Sequence, residues 1–361
     1  MHIPLHEKRT RFLLIFIYTA ELIFCSQVLA SFEDIGLNAR QQAMGGTAAA
    51  YVNSADAVFL NCSGLAMTSA PHFSMFYTNP FGLKSITHAS LSVVLPHKSG
   101  FYGLAMETFG NSVYQENQYM ISYARSWRSK VHYGAAMRLM HLDISKYGTD
   151  TAVGLDLGFM TALSPRFQWG FYAHNLNRPV ISTQDQAIPQ IFCSGISVLP
   201  VDNARMNVDL YKDSKFPAEL RFGFEYTFLD RLALRSGFST EPARFTAGFG
   251  IAFSLLQLDY AFQTHNDLGN THQFSMSVFL KKRPRERADK IEYQMELLKI
   301  NINTASEEQL QTLRGIGPTL SRRIVRYRED YGPFENIEDL KNVKGIGDVM
   351  FERIKDRITT E

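Results

Sequence analysis

From His72 to Leu280 apolar side chains recur at every second residue, and the spacing of an amphipathic helix is almost absent. Leu155, Leu157 and Phe159 alternate with Gly154, Asp156 and Gly158, and Leu220, Phe222, Phe224, Tyr226 and Phe228 with Glu219, Arg221, Gly223, Glu225 and Thr227. Further on, Phe245, Ala247, Phe249, Ile251 and Phe253 stand against Thr246, Gly248, Gly250 and Ala252, and Phe274, Met276, Val278 and Leu280 against Gln273, Ser275 and Ser277. The stretch divides into about 14 such segments separated by turn residues, most of them near the roughly 9–11 residues of a tilted transmembrane strand. One face of nearly every segment is aromatic or aliphatic. The other carries Gly, Ala, Ser and both signs of charge, including Arg138, Asp156, Asp209, Arg221, Glu225, Arg235 and Asp259. A soluble β-sandwich also alternates, with its apolar faces meeting in one core, whereas a barrel in lipid turns those faces outward. The expectation is a mainly β chain: a transmembrane β-barrel of about 14 strands over 71–282. Its inward charges would pair across a plugged lumen rather than form a catalytic site.

What precedes this stretch supports the membrane reading. Lys8, Arg9 and Arg11 lead into an apolar run from Phe12 to Phe24, and Val28-Leu-Ala30 follows. That is the layout of a signal peptide, 1–30, cut after Ala30. A membrane anchor would need about 20 apolar residues, more than this run supplies. A lipidated Cys25 is the other alternative, but Phe24 is bulky where such sites use a small residue. The mature chain is expected outside the cytoplasm, opening with a plug segment, 31–70, rich in glycine and small residues: Gly36-Leu-Asn-Ala-Arg-Gln-Gln-Ala-Met-Gly45-Gly46, then Asp56-Ala-Val-Phe-Leu, then Asn61-Cys-Ser-Gly64-Leu65. This order resembles the N-terminal region of PorV/FadL-type outer-membrane barrels, with Cys62 and Ser63 where the family has Pro and Ala. The resemblance, over roughly 32–282, implies passage of hydrophobic compounds (FadL-type) or service to protein secretion (PorV-type).

After Leu280 the pattern changes. Lys281-Lys-Arg-Pro284-Arg-Glu-Arg287 ends strand character, and Ile291, Met295 and Leu298 fall at helical spacing, so 283–299 is read as a basic, helical linker. Beyond it, residues 300–361 hold one unit twice. Ser306, Leu310, Leu313, Gly315-Ile-Gly317, Leu320 and Ile324 map onto Asn336, Leu340, Val343, Gly345-Ile-Gly347, Met350 and Ile354 by an offset of thirty. Each unit is a helix, a tight turn and a second helix. Ser306 with Gln309 makes a capping box, Pro318 suits the first position of a helix, and the open amides of Gly315, Gly317 and the helix start suit an anion. Gly317, like Gly315, is expected to be needed by the turn.

This stretch is similar to ComEA-type helix-hairpin-helix domains, down to the Asn301-Ile-Asn-Thr-Ala305 opening and the Tyr331-Gly-Pro-Phe334 link. ComEA proteins hold incoming double-stranded DNA during natural transformation. The resemblance implies a small all-α tandem domain that grips the phosphate backbone without reading bases, through Arg314, Gly315, Ile316, Gly317, Thr319, Arg322 and Arg323 in the first hairpin and Lys344, Gly345, Ile346 and Gly347 in the second. Asp348 is expected to cap the helix it opens and so weaken the second site. Similar hairpin pairs in type II secretion components make a protein-interaction module the alternative.

Composition changes this picture little. The formal net charge is +2, and the tail itself balances ten basic residues against eleven acidic ones from Ile300 onward, so any pull on DNA has to be local. Three cysteines make no disulfide framework, leaving a Cys62–Cys193 pair as an open question. His72, His88, His132, His141 and His174 lack ligand spacing, and no nucleophile or nucleotide loop stands out, so neither an enzyme nor a metal or cofactor is expected. The partners expected are the double-stranded DNA backbone, outer-membrane lipid, and secretion or uptake machinery. The combined expectation is a barrel carrying a periplasmic, sequence-independent DNA-binding tail for DNA capture or uptake. A transport or secretion barrel with a protein-docking tail is the alternative.

Overall fold

The computed structural model describes residues 31–360 apart from 129, 182–185, 230, 266–267 and 282–298. The leader 1–30 and nearly all of the linker thus lie outside the described residues.

Fourteen antiparallel strands close into a barrel in chain order, the last pairing with the first. They are β1 His72–Thr78, β2 Thr87–His97, β3 Gly100–Gly110, β4 Tyr114–Trp127, β5 Val131–Ile144, β6 Gly148–Ser164 and β7 Phe167–His174, then β8 Ile191–Val201, β9 Ala204–Asp213, β10 Ala218–Phe228, β11 Leu232–Thr240, β12 Ala243–Ala252, β13 Leu256–Gln263 and β14 Thr271–Phe279. Closure leaves no strand edge of the sheet unpaired. The seam is in register, with His72 opposite Phe279 and Thr78 opposite Gln273.

The alternation settles which face is which. Leu155, Leu157, Phe245 and Phe274 stand exposed on the outside, while Arg138, Asp156, Asp209, Glu225, Arg235 and Asp259 are buried on the inside. The two rims differ. At one, the turns after β2, β4, β6, β8, β10 and β12 span two or three residues, and this rim also receives the start of β1 and the end of β14. At the other, three connections are as short, 111–113, 145–147 and 241–242, and the rest are longer, up to the span 175–190 between β7 and β8.

Residues 31–71 thread the lumen from the loop rim to the short-turn rim. At the start, the Phe32 amide donates to Glu116 Oε2 at 3.0 Å; at the finish, the Leu280 amide donates to the Pro71 carbonyl at 2.9 Å. Between them lie α1, Ala39–Gln42, capped by the Asn38 side chain, and two 3₁₀ turns, Ala55–Val58 and Cys62–Met67. The plug is bonded to the wall throughout. Asp56 accepts from Ser74 and Ser92 at 2.9 and 2.8 Å, and Asp209 Oδ2 accepts the amides of Ala48 and Ala49 at 2.8 and 2.9 Å. Arg40 pairs with Glu225 at 2.8 Å, Glu225 with Arg235 at 2.7 Å, and Arg235 with Asp259 at 2.7 Å. Desolvating these ions is costly, and their mutual pairing offsets it. Arg138 and Asp156 repeat the device at 2.9 Å between β5 and β6. The inward charges are braces, as the sequence suggested. Arg40, the contribution of the plug, was not among the charges singled out.

Cys62 and Cys193 are both buried and unpaired, which answers the disulfide question in the negative. Cys62 packs in the apolar core shared by plug and wall, and Cys193 sits with Ala49, Tyr172, Ile191 and Tyr211.

The tail has a core of its own, in which Ile302, Leu310, Ile324, Leu340 and Ile354 are essentially fully buried. Its helices are α2 Glu307–Gln311, α3 Pro318–Tyr331 and α4 Asp348–Ile354, with a 3₁₀ turn, Ile337–Asn342, in the place of α2 in the second copy. Asn303 holds the module together: its amide nitrogen donates to the carbonyls of Phe334 and Thr360 at 3.0 and 3.1 Å, and its oxygen accepts the Phe334 amide at 2.8 Å. A two-residue parallel ladder, Ile300–Asn301 with Ile358–Thr359, closes the ends on each other.

Candidate nucleic-acid interface

Both hairpin turns are built alike. The Ile316 amide donates to the Leu313 carbonyl at 3.0 Å around Gly315 at φ 95°, and the Ile346 amide to Val343 at 3.0 Å around Gly345 at φ 104°. A positive φ at the third turn position is where glycine is favoured. A Cβ there would also collide: at Gly315 it would lie 2.9 Å from Met350 Sδ, and at Gly345 2.9 Å from Leu320 Cδ2. Leu320 and Met350 are themselves equivalent by the offset of thirty, so each turn is packed by the other hairpin. Burial agrees over the turn and the helix after it: buried, half-buried and exposed positions coincide between 311–326 and 341–356.

The second glycine of each turn behaves differently, which corrects the expectation that the turn requires it. Gly317 has φ −94° and ψ −179°, and Gly347 φ −97° and ψ 179°, extended backbone open to any residue. A Cβ at either would meet nothing within 4 Å. The fold does not need glycine here. Its effect is to leave backbone N–H groups open to close approach from outside.

Those groups can be enumerated. Leu320 and Ser321 both donate to the Gly317 carbonyl at 3.0 Å, and Pro318 has no N–H. The amides of Gly315, Gly317 and Thr319 have no protein acceptor among the described residues, and they stand at the start of α3, a helix of 14 residues. Unpaired amides at a helix start, with the helix dipole behind them, favour an anion.

Ile316 and Ile346 are buried, and each amide donates within its own turn, so their side chains anchor the two turns from inside. Arg314 and Lys344 are exposed beside their glycines. Arg322 Nε donates to the Pro318 carbonyl at 3.1 Å, which holds the guanidinium along the first turn of α3. Arg323 Nη1 reaches across to the Lys344 carbonyl at 2.8 Å, fixing the two tips side by side.

The second tip departs from the first in charge. Its helix, α4, has only seven residues and begins with Asp348. The expected cap does not form: Asp348 Oδ1 pairs with Lys341 Nζ at 2.8 Å, and this hydrogen bond holds its carboxyl below the usual aspartate range. Between 314 and 326 stand Arg314, Arg322, Arg323 and Arg326 and no acid; between 344 and 356 Lys344, Arg353 and Lys355 face Asp348, Glu352 and Asp356. Arg326 is not among the contacts expected from the sequence, and the offset of thirty sets it against Asp356.

Comparison with known proteins agrees with this geometry. Residues 297–359 match the model of the helix-hairpin-helix motif. The tail is a helix-hairpin-helix module. It is 48% identical over 62 residues to ComE operon protein 1 of Bacillus subtilis, and 48% identical over 61 residues to an uncharacterized protein of Haemophilus influenzae. The aligned stretch is 17% of this chain in each case, against 30% of the first relative and 54% of the second. The barrel shares its fold with the toluene transporters TbuX of Ralstonia pickettii, at 14% identity, and TodX of Pseudomonas putida, at 12%, each with a TM-score of 0.52. Each likeness covers 70% of this chain and all of the transporter. The chain thus joins a barrel with the fold of these transporters to a helix-hairpin-helix tail similar to ComE operon protein 1.

Proposed function

We propose that this chain is an outer-membrane anchor whose tail captures double-stranded DNA in the periplasm by its phosphate backbone, in the service of DNA uptake, with no catalytic step. The observation that carries this is Gly317. Neither its backbone angles nor its surroundings call for glycine, yet its absent side chain leaves three unpaired amides at a helix start approachable, next to Arg314 and Arg322. A phosphate oxygen fits such a site, and backbone contacts of this kind carry no base information. Likeness to a ComE operon protein supports the same ligand.

Placement in the periplasm rests on the rims. Barrels of this class keep short turns on the periplasmic side, and the strand leading toward the tail, β14, ends at the short-turn rim. The barrel acts as an anchor because residues 31–71 fill its lumen and are bonded to its wall at many points.

The deciding experiment titrates duplex affinity of the full chain against salt, with a chain ending at Leu280 as control. A few phosphate contacts make log affinity fall linearly with log salt, alike for unrelated sequences. Equal retention of duplex by both chains, or none by either at low salt, would sink the reading. A second reading, transport of hydrophobic molecules by the barrel, is favoured by the fold it shares with the toluene transporters. Uptake of a labelled monoaromatic into vesicles would support it if the chain ending at Leu280 were as active as the whole.

A further inference from the structure

The short-turn rim of the barrel is unevenly charged. From the end of β2 to the start of β7 its turns carry Lys98, Arg128, Lys130 and Arg166, and Arg125 stands just inside the end of β4, all of them exposed. No acid occurs in the chain over 95–102, 123–133 or 161–168. Arg166 leans on Asp202 at 3.7 Å, whereas Lys98, Arg125, Arg128 and Lys130 have no carboxylate partner among the described residues. Across the rim the charge thins out. The turn after β8 is Asp202-Asn203 and that after β12 is Phe253-Ser-Leu255, with Arg231 the exposed cation among the described residues between them.

The unpaired cations stand on the outer side of the wall. Along β4 the buried Met120, Ser122 and Ala124 alternate with the exposed Ile121, Tyr123, Arg125 and Trp127, so Arg125 shares the outward, apolar face. The Arg128 guanidinium lies over the Trp127 ring, 4.9 Å from its centre, which keeps it on the same side. Two tyrosines fix the level. Tyr123 Oη donates to the Ser99 carbonyl at 2.5 Å and Tyr102 Oη hydrogen-bonds with Ser99 Oγ at 3.0 Å, so both rings lie along the wall with their polar ends at the turn. Tyrosine and tryptophan placed in this way mark the boundary between acyl chains and headgroups, and an arginine at that depth extends into the phosphate layer.

We propose that the rim from β2 to β5 binds acidic phospholipid, with the headgroup phosphate held among Lys98, Arg125, Arg128 and Lys130 and the acyl chains lying along the aromatic face next to them. Four cations with no acid among them select an anionic headgroup over a zwitterionic one, which brings its own cation with its phosphate. This selection needs only a barrel standing in lipid, and it owes nothing to the tail or to DNA.

The test uses the full chain with Trp169→Phe, which leaves Trp127 as the one tryptophan, in phosphatidylcholine vesicles. A fixed fraction of the lipid is acyl-brominated phosphatidylglycerol or acyl-brominated phosphatidylcholine, and bromine quenches the tryptophan that it touches. At low salt the acidic lipid should associate with the Trp127 site at least roughly fivefold better than the neutral one, the factor supplied by one cation near an anionic headgroup. The preference should shrink at about 0.5 M salt, where screening reaches only a few ångströms. Replacing Lys98, Arg125, Arg128 and Lys130 together by Gln should abolish it, while quenching by the neutral brominated lipid stays as it was, which shows that the barrel is folded and inserted. Arg125→Gln alone should lower the preference part way, and it carries the test if the fourfold variant does not insert. Arg231→Gln should leave the preference intact. Equal quenching by the two lipids with the rim unaltered, or a preference that survives loss of the cations, overturns the proposal; if duplex affinity falls in that same variant, the cations belong to DNA instead. A lipid preference in a chain that never binds duplex upholds the site and removes only the DNA reading.

Discussion

The barrel lumen and the tips of the tail use glycine for opposite purposes. At Gly170 on β7 a Cβ would lie 1.9 Å from the Ala49 carbonyl oxygen of the plug, so the wall and plug backbones touch and the missing side chain is occupied space. At Gly317 a Cβ would meet nothing within 4 Å, so the missing side chain is vacant space. The first glycine is explained by what the structure contains. The second has no such explanation inside the fold, and the proposed phosphate ligand supplies one from outside.

The largest expected effect breaks the first half of that contrast. Gly170→Val drives a branched side chain into plug backbone that no rotamer change can move aside. The penalty should reach or pass the upper end of the about 1–3 kcal/mol typical of overpacking. Urea titration in lipid vesicles should show a lower midpoint, or no compact barrel at all. An unchanged midpoint would mean that the plug can leave the wall.

Gly317→Thr breaks the second half. Threonine suits both the extended backbone and the helix N-cap, so the tail should keep its melting temperature. Duplex binding should fall roughly 10- to 100-fold, the equivalent of one charge-assisted hydrogen bond of about 1.5–3 kcal/mol. The same change at Gly347 should cost only a few-fold, because the acids around α4 already disfavour phosphate there. Equal losses would make the hairpins equivalent. Gly315→Ala separates the two uses within one turn. With φ at 95° and Met350 Sδ at 2.9 Å, it should cost the tail more than about 1 kcal/mol of stability, read as a lowered melting temperature.

Much of this was legible in the sequence, and the failures share a cause. Alternation gave the barrel and its inward charges because a strand places every second residue on one face, whatever its neighbours. The offset of thirty gave the duplicated hairpins for the same reason: it is a property of the chain alone. What could not be read depends on which groups meet in space. Gly315 and Gly317 are the same residue two positions apart, and what tells them apart is the backbone angle, φ 95° against −94°, and the proximity of Met350 to the first. Arg40 could not be assigned to Glu225, 185 residues away, before the plug had been placed. Asp348 was read as a cap from local spacing, and Lys341, across the hairpin, takes its carboxylate instead.

That last pair sets the smallest effect. Asp348 titrates below the usual aspartate range in the folded tail, chiefly because of the hydrogen bond from Lys341. A folded-state value below the unfolded one means that the pair adds stability above the unfolded aspartate's range and loses it as pH falls through the folded value. Both groups are open to water, so the contribution is slight and screened by salt. Lys341→Met keeps the stem over Phe351 and removes the charge, and carboxyl NMR should then show Asp348 titrating higher. Freed from Lys341, the carboxylate can turn back over the first amides of α4, and the residual duplex affinity of the second hairpin should drop further. If affinity rises instead, Lys341 is not what keeps Asp348 off the helix start, and the difference between the two tips has to lie with Glu352 and Asp356.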